Sequence, residues 1–198
     1  QEIEQLMAEA ARLPKPARSL TYVTLIGLLA ATGLRPGEAL ALDVADVNHE
    51  NGILTVRNTK FGKSRFVPIA VDVAARLQEC RRAIELHFGG RLASPAFFVG
   101  PKGARCTKCA LRASFRLALR KAGIPWEGRG LGPRVHDLRH SFCVHRLLLW
   151  YEQEADFGAK LPLLATYLGH VSLASSQRYL QVTEDLIGEV SRRFDQRF

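Results

Sequence analysis

The sequence is poor in several features by which a chain most easily declares its class. Cysteine occurs 4 times in 198 residues, at positions 80, 106, 109 and 143. A chain of this length with 47% hydrophobic residues can build its own core and needs no disulfide staples, so a reducing, cytoplasmic setting is expected. Membrane-length apolar runs are missing too. The uncharged run Ser19–Leu34 falls short of the roughly 20 apolar residues of a membrane span and carries Thr, Tyr and Gly. No basic-then-apolar leader opens the chain, so secretion is not expected. The first residue is Gln rather than Met, and the chain reads as a fragment of a longer one. No internal repeat, Walker-type phosphate loop or acidic metal cluster stands out. Cys106-Thr-Lys-Cys109 has metal-ligand spacing, but no second pair completes four ligands, so no metal is expected. Acidic side chains are in deficit: 19 Asp plus Glu against 28 Lys plus Arg leave a formal charge of +9. That excess suits a polyanion such as DNA, RNA or an anionic membrane surface.

What is present is a run of helical patterns interrupted by one hairpin region. Ile3–Leu13 reads as a helix stopped by Pro14 and Pro16. Ser19 is a candidate cap for a second helix reaching Thr32, apolar on nearly all sides and therefore central. After Gly33, the turn Leu34-Arg35-Pro36-Gly37-Glu38 leads into a short helix, Ala39–Leu42. Asn51-Gly52 is a type I′ turn signal between Val44–Asn48 and Ile53–Arg57, and Phe61-Gly62 joins the latter to Ser64–Ile69. A small three-stranded antiparallel sheet follows from that pattern. Helical spacing resumes over Val71–Phe88, then over the basic segment Lys108–Ala122, and again at Val135–Tyr151, Leu161–Leu168, Leu173–Gln181 and Glu184–Phe194. Gly89–Arg105, interrupted by the short apolar patch Ala96–Val99, and Gly123–Pro133 read as loops. The expected fold is mainly α with one small antiparallel sheet, an α+β domain.

His136 and Arg139, three apart at a helix start, are expected to project from one face. A cation pair there is costly, because a helix N-terminus favours anions, so it implies Asp137 as a neutralising partner or a bound phosphate. Arg35, directly after an apolar helix, also needs a partner, and Glu38 is the candidate. Taken singly, each motif reads equally well as a solvated basic face or as ordinary structure.

Together they match a pattern. Thr32-Gly-Leu-Arg35-Pro-Gly-Glu38, Thr59-Lys60-Phe-Gly-Lys-Ser-Arg-Phe-Val-Pro68, His136-Asp-Leu-Arg139-His140, and Leu168-Gly-His170 followed by Tyr179 resemble the tyrosine recombinase (phage integrase) catalytic domain. The resemblance extends from Ser19 to about Phe194. It implies that Arg35 and Arg139 bind the non-bridging oxygens of a scissile phosphate, with His170 adding a hydrogen bond. Tyr179 is implied as the nucleophile forming a 3′-phosphotyrosine, His136 as its proton acceptor and Lys60 as the proton donor to the 5′-oxygen. Lys63 is the rival for that last role and Tyr167 the nearest competing phenol. Glu38 and His140 are assigned to support, while Tyr151, Tyr167 and His145 are left as structural.

The resemblance further implies a site-specific recombinase or integrase acting on double-stranded DNA without metal, ATP or other cofactor. It also implies a tetramer on two duplexes in a bacterial, cytoplasmic, DNA-associated setting, and leaves open a phage, a transposon or other mobile genetic element, an integron or a chromosome-resolution system. Residues 1–198 are expected to form a single catalytic domain lacking the N-terminal DNA-clamping domain usual in the family. The tail 183–198 is expected to dock on a neighbouring protomer. The stretch Leu147–Leu163 lengthens the gap from Arg139 to His170 and is expected to lie between helices. The alternatives are a non-catalytic DNA-binding module and a type IB topoisomerase-like enzyme.

Overall fold

The computed structural model describes residues 2–57, 64–92, 94–126, 128 and 132–169. Residues up to Arg139 form one compact unit and those from His140 onward another. In chain order the elements are α1 (Glu2–Ala11), α2 (Pro16–Thr32), α3 (Pro36–Ala41), a 3-10 turn (Val44–Asp46), β1 (Val47–Asn48), β2 (Ile53–Val56), β3 (Arg65–Pro68), α4 (Val71–Phe88), α5 (Lys108–Lys121), α6 (Asp137–Glu152) and α7 (Phe157–Leu168). The mainly α architecture with one small antiparallel sheet is as the sequence pattern requires. No helix among the described residues is long and apolar enough to cross a membrane.

Helix α2 organises the first unit. It begins at Pro16 rather than under a Ser19 cap, since proline suits a helix start, and the Ser19 hydroxyl instead donates to the Pro16 carbonyl. Tyr22, Leu25, Ile26, Leu28 and Leu29 are all buried. Gly33 closes the helix in the left-handed region at φ 62°, its N–H donating to the Leu29 carbonyl. Helix α2 packs against α1, α4 and α5. Arg18 donates to the Ser114 hydroxyl at 3.0 Å, fastening α2 to α5.

In the sheet, the order is β1-β2-β3, with Val47 opposite Leu54 and Leu54 opposite Val67. Leu54, Val56 and Val67 lie on the buried face, whereas Phe66, opposite Thr55, is 73% exposed. The expected first strand, Val44–Asn48, is mostly the 3-10 turn, because the Asp46 carboxylate accepts from the Asp43 N–H and from Arg57. Asn48 pairs with Ile53, so residues 49–52 form a four-residue connection rather than a two-residue turn. The Asn48 side chain accepts from the Asn51 N–H there, and Gly52 takes φ 61°.

Three further expectations are corrected. Ala96–Val99, an apolar patch within an expected loop, is fully buried and bridged at both ends. The Phe97 N–H donates to the Leu42 carbonyl, and Asp43 bridges Ala96 while Val99 bridges Arg105. Helix α7 begins at Phe157 rather than Leu161, because the Asp156 side chain caps it by accepting from the Ala159 N–H, and Pro162 is accommodated inside. The stretch Leu147–Leu163 does not lie between helices. Helix α6 runs through Glu152, and only residues 153–156 connect it to α7.

In the second unit Phe142, Cys143, Leu147, Leu164 and Leu168 form the core between α6 and α7. Tyr167 stacks on Phe142 at 5.8 Å between ring centroids, which suits a structural role.

Candidate functional site

The site is built where α2 ends. Gly33 frees the chain to turn, and Pro36 starts α3 at once, leaving Arg35 as the residue flanking its N-terminus. The Glu38 carboxylate folds back and accepts the Arg35 backbone N–H at 3.0 Å, one half of a capping box. It also accepts Arg35 Nη1 at 2.9 Å, the ion pair expected from the sequence.

Glu38 has a second partner that sequence reasoning missed. Arg65 on β3 grips both its oxygens, Nη1 to Oε1 at 3.0 Å and Nη2 to Oε2 at 2.9 Å. A signal existed: Arg65 alternates with Val67 on the buried face of the sheet, where a charge demands a counter-charge. Burial alone would raise the Glu38 carboxyl, but the hydrogen bonds from Arg65 and the Arg35 backbone outweigh it and hold it below the ordinary carboxylate value.

Arg139 lies in the first turn of α6 and is 2% exposed. Its Nη1 donates to the Gly33 carbonyl at 2.7 Å, across 106 residues of sequence. That carbonyl belongs to the C-terminal end of α2, which favours a cation.

His136 does not share the helix with Arg139 as expected, because α6 begins one residue later. The Arg134 N–H donates to Asp137 Oδ2 at 2.9 Å and the Asp137 N–H returns to the Arg134 carbonyl, closing a turn that contains His136. Asp137 thus neutralises Arg134, by a side-chain bond at 3.0 Å. Partial burial of its ring, and then the Arg139 charge, hold His136 below the ordinary imidazole value; Arg134 and Arg35 push the same way and Asp137 opposes. Arg35 and Arg139 are therefore both within electrostatic reach of His136, and Glu38 is bonded to Arg35. His140 is exposed on α6 in the second unit. Lys60, its rival Lys63, His170, Tyr179, the expected helices Leu173–Gln181 and Glu184–Phe194, and the tail 183–198 lie outside the described residues.

A cavity of about 740 Å³ opens beside His136. Leu111, Phe115, Val135 and Trp126 supply its apolar lining, and Lys108, Arg112, Arg116 and Arg134 its charge. The Arg116 guanidinium lies 4.4 Å from the Trp126 ring centroid. Gly37 keeps the near wall low: a Cβ there would meet Lys108 Cε at 3.3 Å.

Cys106 and Cys109 share no environment. Cys106 is buried with its thiol donating to the Tyr22 hydroxyl at 3.1 Å, while Cys109 is exposed. Among the described residues no group of three or more His, Cys, Asp or Glu side chains could hold a metal ion.

A solved structure of XerA recombinase superposes with a TM-score of 0.72 at 23% identity, covering 98% of this chain and 63% of that one. XerH recombinase bound to palindromic difH substrate in a post-cleavage complex superposes at 0.70 with 26% identity, covering 98% and 52%. The fold is that of a tyrosine recombinase catalytic domain. In sequence, the Sinorhizobium fredii protein y4rB, named as an integrase/recombinase, is 38% identical over 203 residues, all of this chain and 65% of its own length. The phage integrase family model matches residues 1–185, and the chain belongs to that family. It spans less than two thirds of each of these relatives.

Proposed function

We propose that this chain is the catalytic part of a site-specific DNA recombinase or integrase that breaks and rejoins strands through a 3′-phosphotyrosine on Tyr179. The observation that carries the reading is the arrangement of Arg35, His136 and Arg139, two guanidiniums and an imidazole of lowered pKa around the end of α2. A phosphodiester resists attack because its own oxygens repel the nucleophile, so catalysis consists mainly of neutralising and positioning it.

Arg35 and Arg139 supply planar cationic donors to the two non-bridging oxygens, and His170 adds a hydrogen bond. The Tyr179 oxygen attacks phosphorus in line, and its proton passes to His136, which stays a neutral acceptor because its pKa is lowered. The bond from phosphorus to the 5′-oxygen breaks, and Lys60 protonates the leaving oxygen. Rejoining reverses these steps. One phosphoester replaces another, so no ATP is consumed, and the guanidiniums supply the charge for which other enzymes use metal ions.

Double-stranded DNA as partner is supported by the +9 charge and by the DNA-bound XerH structure. A tetramer on two duplexes, docking of the tail 183–198 on a neighbour, and a cytoplasmic, DNA-associated location follow from the family resemblance.

A nicked suicide duplex carrying the protein's own recombination site tests the reading. Wild type should form a covalent adduct on a denaturing gel, insensitive to EDTA and abolished by Tyr179→Phe, with DNA binding retained. DNA binding with no adduct would leave only the non-catalytic module. Relaxation of supercoils without strand exchange between two duplexes would point to the topoisomerase. Truncation after Thr183 should impair recombination more than DNA binding; normal recombination by the truncated chain would end the docking idea.

A further inference from the structure

We propose that Arg65 is a positioning residue that keeps Glu38 from capturing Arg35; this rests on the reading of Arg35 as a phosphate-binding group. The geometry is a contest for one carboxylate. Arg65 takes Oε1 at 3.0 Å and Oε2 at 2.9 Å in fork-to-fork form, while Arg35 meets Glu38 Oε1 through Nη1 at 2.9 Å. The Arg35 backbone N–H occupies Oε2 as well. The fork-to-fork arrangement is the stronger and more directional way for an arginine to hold a carboxylate, and here Arg65 has it.

Burial enforces the contest. The Glu38 side chain is 9% exposed and that of Arg65 13%, against 35% for Arg35. A carboxylate so enclosed cannot turn to water if a partner is lost, and must tighten on the one that remains. Without Arg65, that partner is Arg35, drawn from a single-nitrogen contact toward a two-nitrogen grip on Glu38.

Charge runs the same way. Two guanidiniums on one carboxylate leave this cluster a net unit of positive charge at the site, and loss of Arg65 cancels it. Replacing Glu38 by neutral Gln in the same background restores it through Arg35 alone. Register explains why β3 does this. Arg65 opposes Val56 at the end of the β2–β3 pairing, so its place follows from the ladder that also fixes Val67 in the core.

The prediction is therefore a reversal of sign, tested on the full chain. Arg65→Ala should lower the rate of covalent adduct formation on the suicide duplex by about tenfold or more. Adding Glu38→Gln to Arg65→Ala should raise the rate again, although Glu38→Gln alone should lower it. A purely structural role predicts that the double variant is as slow as, or slower than, Arg65→Ala. Arg65→Lys keeps the charge but gives up the fork, and should fall between wild type and Arg65→Ala.

Arginine side-chain NMR reads the contest without catalysis. Rotation of the Arg35 guanidinium should slow in Arg65→Ala and recover in the double variant. Unchanged Arg35 rotation in a folded Arg65→Ala protein, or no recovery in either assay, overturns the proposal. Should wild type form no adduct at all, the enzymatic reading fails, while the NMR result still decides the role of Arg65. If Arg65→Ala does not fold, Arg65→Lys carries both measurements.

Discussion

Arg139 and Gly33 are joined by a 2.7 Å hydrogen bond from the guanidinium to the backbone carbonyl that ends α2. The bond ties the start of α6 to a point two residues before Arg35, so one contact sets the relative placement of two arginines 104 positions apart in the chain. Arg139→Lys should therefore fail to rescue: an ammonium can meet the carbonyl or a phosphate oxygen but does not present the planar fork that meets both. Both Arg139→Lys and Arg139→Ala are expected to slow adduct formation by on the order of 10² or more. Wild-type rates in Arg139→Lys would show that the fork is dispensable.

The lowered pKa of His136 gives activity a pH signature. If His136 accepts the phenolic proton, cleavage should decline on acidification with a midpoint below 6.5, the ordinary imidazole value. His136→Gln should lower the rate by on the order of 10² and flatten that acid limb. Stability moves with pH as well. As pH falls through 6.5 the unfolded chain binds the His136 proton first, so the fold loses stability there and gains nothing from this group above it. Glu38 and Asp137, held below their ordinary values, stabilise the fold above those values, and that contribution is lost as pH falls through the lowered ones. Urea titrations from pH 7 to 3 on wild type and His136→Gln separate the two contributions.

The buried strip Ala96–Val99 makes a stability prediction that its loop-like surroundings would not suggest. Phe97 and Phe98 are fully buried, their rings edge-to-face at 5.0 Å between centroids. Phe98→Ala should cost about 3–5 kcal/mol, a large share of a domain's typical 5–15. Phe66→Ala, at a position 73% exposed, should stay within about 0.5 kcal/mol. Chemical denaturation of both variants checks the contrast, and equal costs would mean that the strip is not part of the core.

That strip also marks where the sequence was hard to read. Helix α4 was legible to its ends, because Leu77 and Ile84 keep helical spacing and Gly89 supplies a left-handed stop at φ 56°. Arg35 and Glu38 were legible as a pair because they are three apart beside a proline. Arg139 announced itself as a cation needing an anion, but its bond to Gly33 depends on tertiary approach that no local pattern encodes. Ala96–Val99 is too short to show periodicity, and two of its partners, Leu42 and Asp43, come from a distant turn. His136 was placed one residue inside a helix because spacing cannot separate a first helical turn from the turn before it. Arg65 was missed because its meaning lies in Glu38, on a separate helix far back in the chain.

Helix α5 is basic along one face. Lys108, Arg112, Arg116 and Arg120 recur every fourth residue on its exposed side, while Leu111, Ser114, Phe115, Ala118 and Leu119 are buried. The first three of those cations line the cavity beside His136. An exposed row of cations costs the fold little to change, so its contribution to binding can be measured apart from folding. Each cation that meets a phosphate releases counterions and adds about 0.9 to the slope of log affinity against log salt. Lys108→Gln with Arg112→Gln should therefore reduce that slope by about 2 and weaken binding to all DNA sequences alike, since phosphates carry no base identity. Arg76→Gln, a similarly exposed cation on α4 that does not line the cavity, should leave the slope unchanged. Salt titrations on specific and random duplexes give both numbers. A change confined to the specific duplex would show that α5 reads bases, and an unchanged slope would place the DNA backbone elsewhere on the molecule.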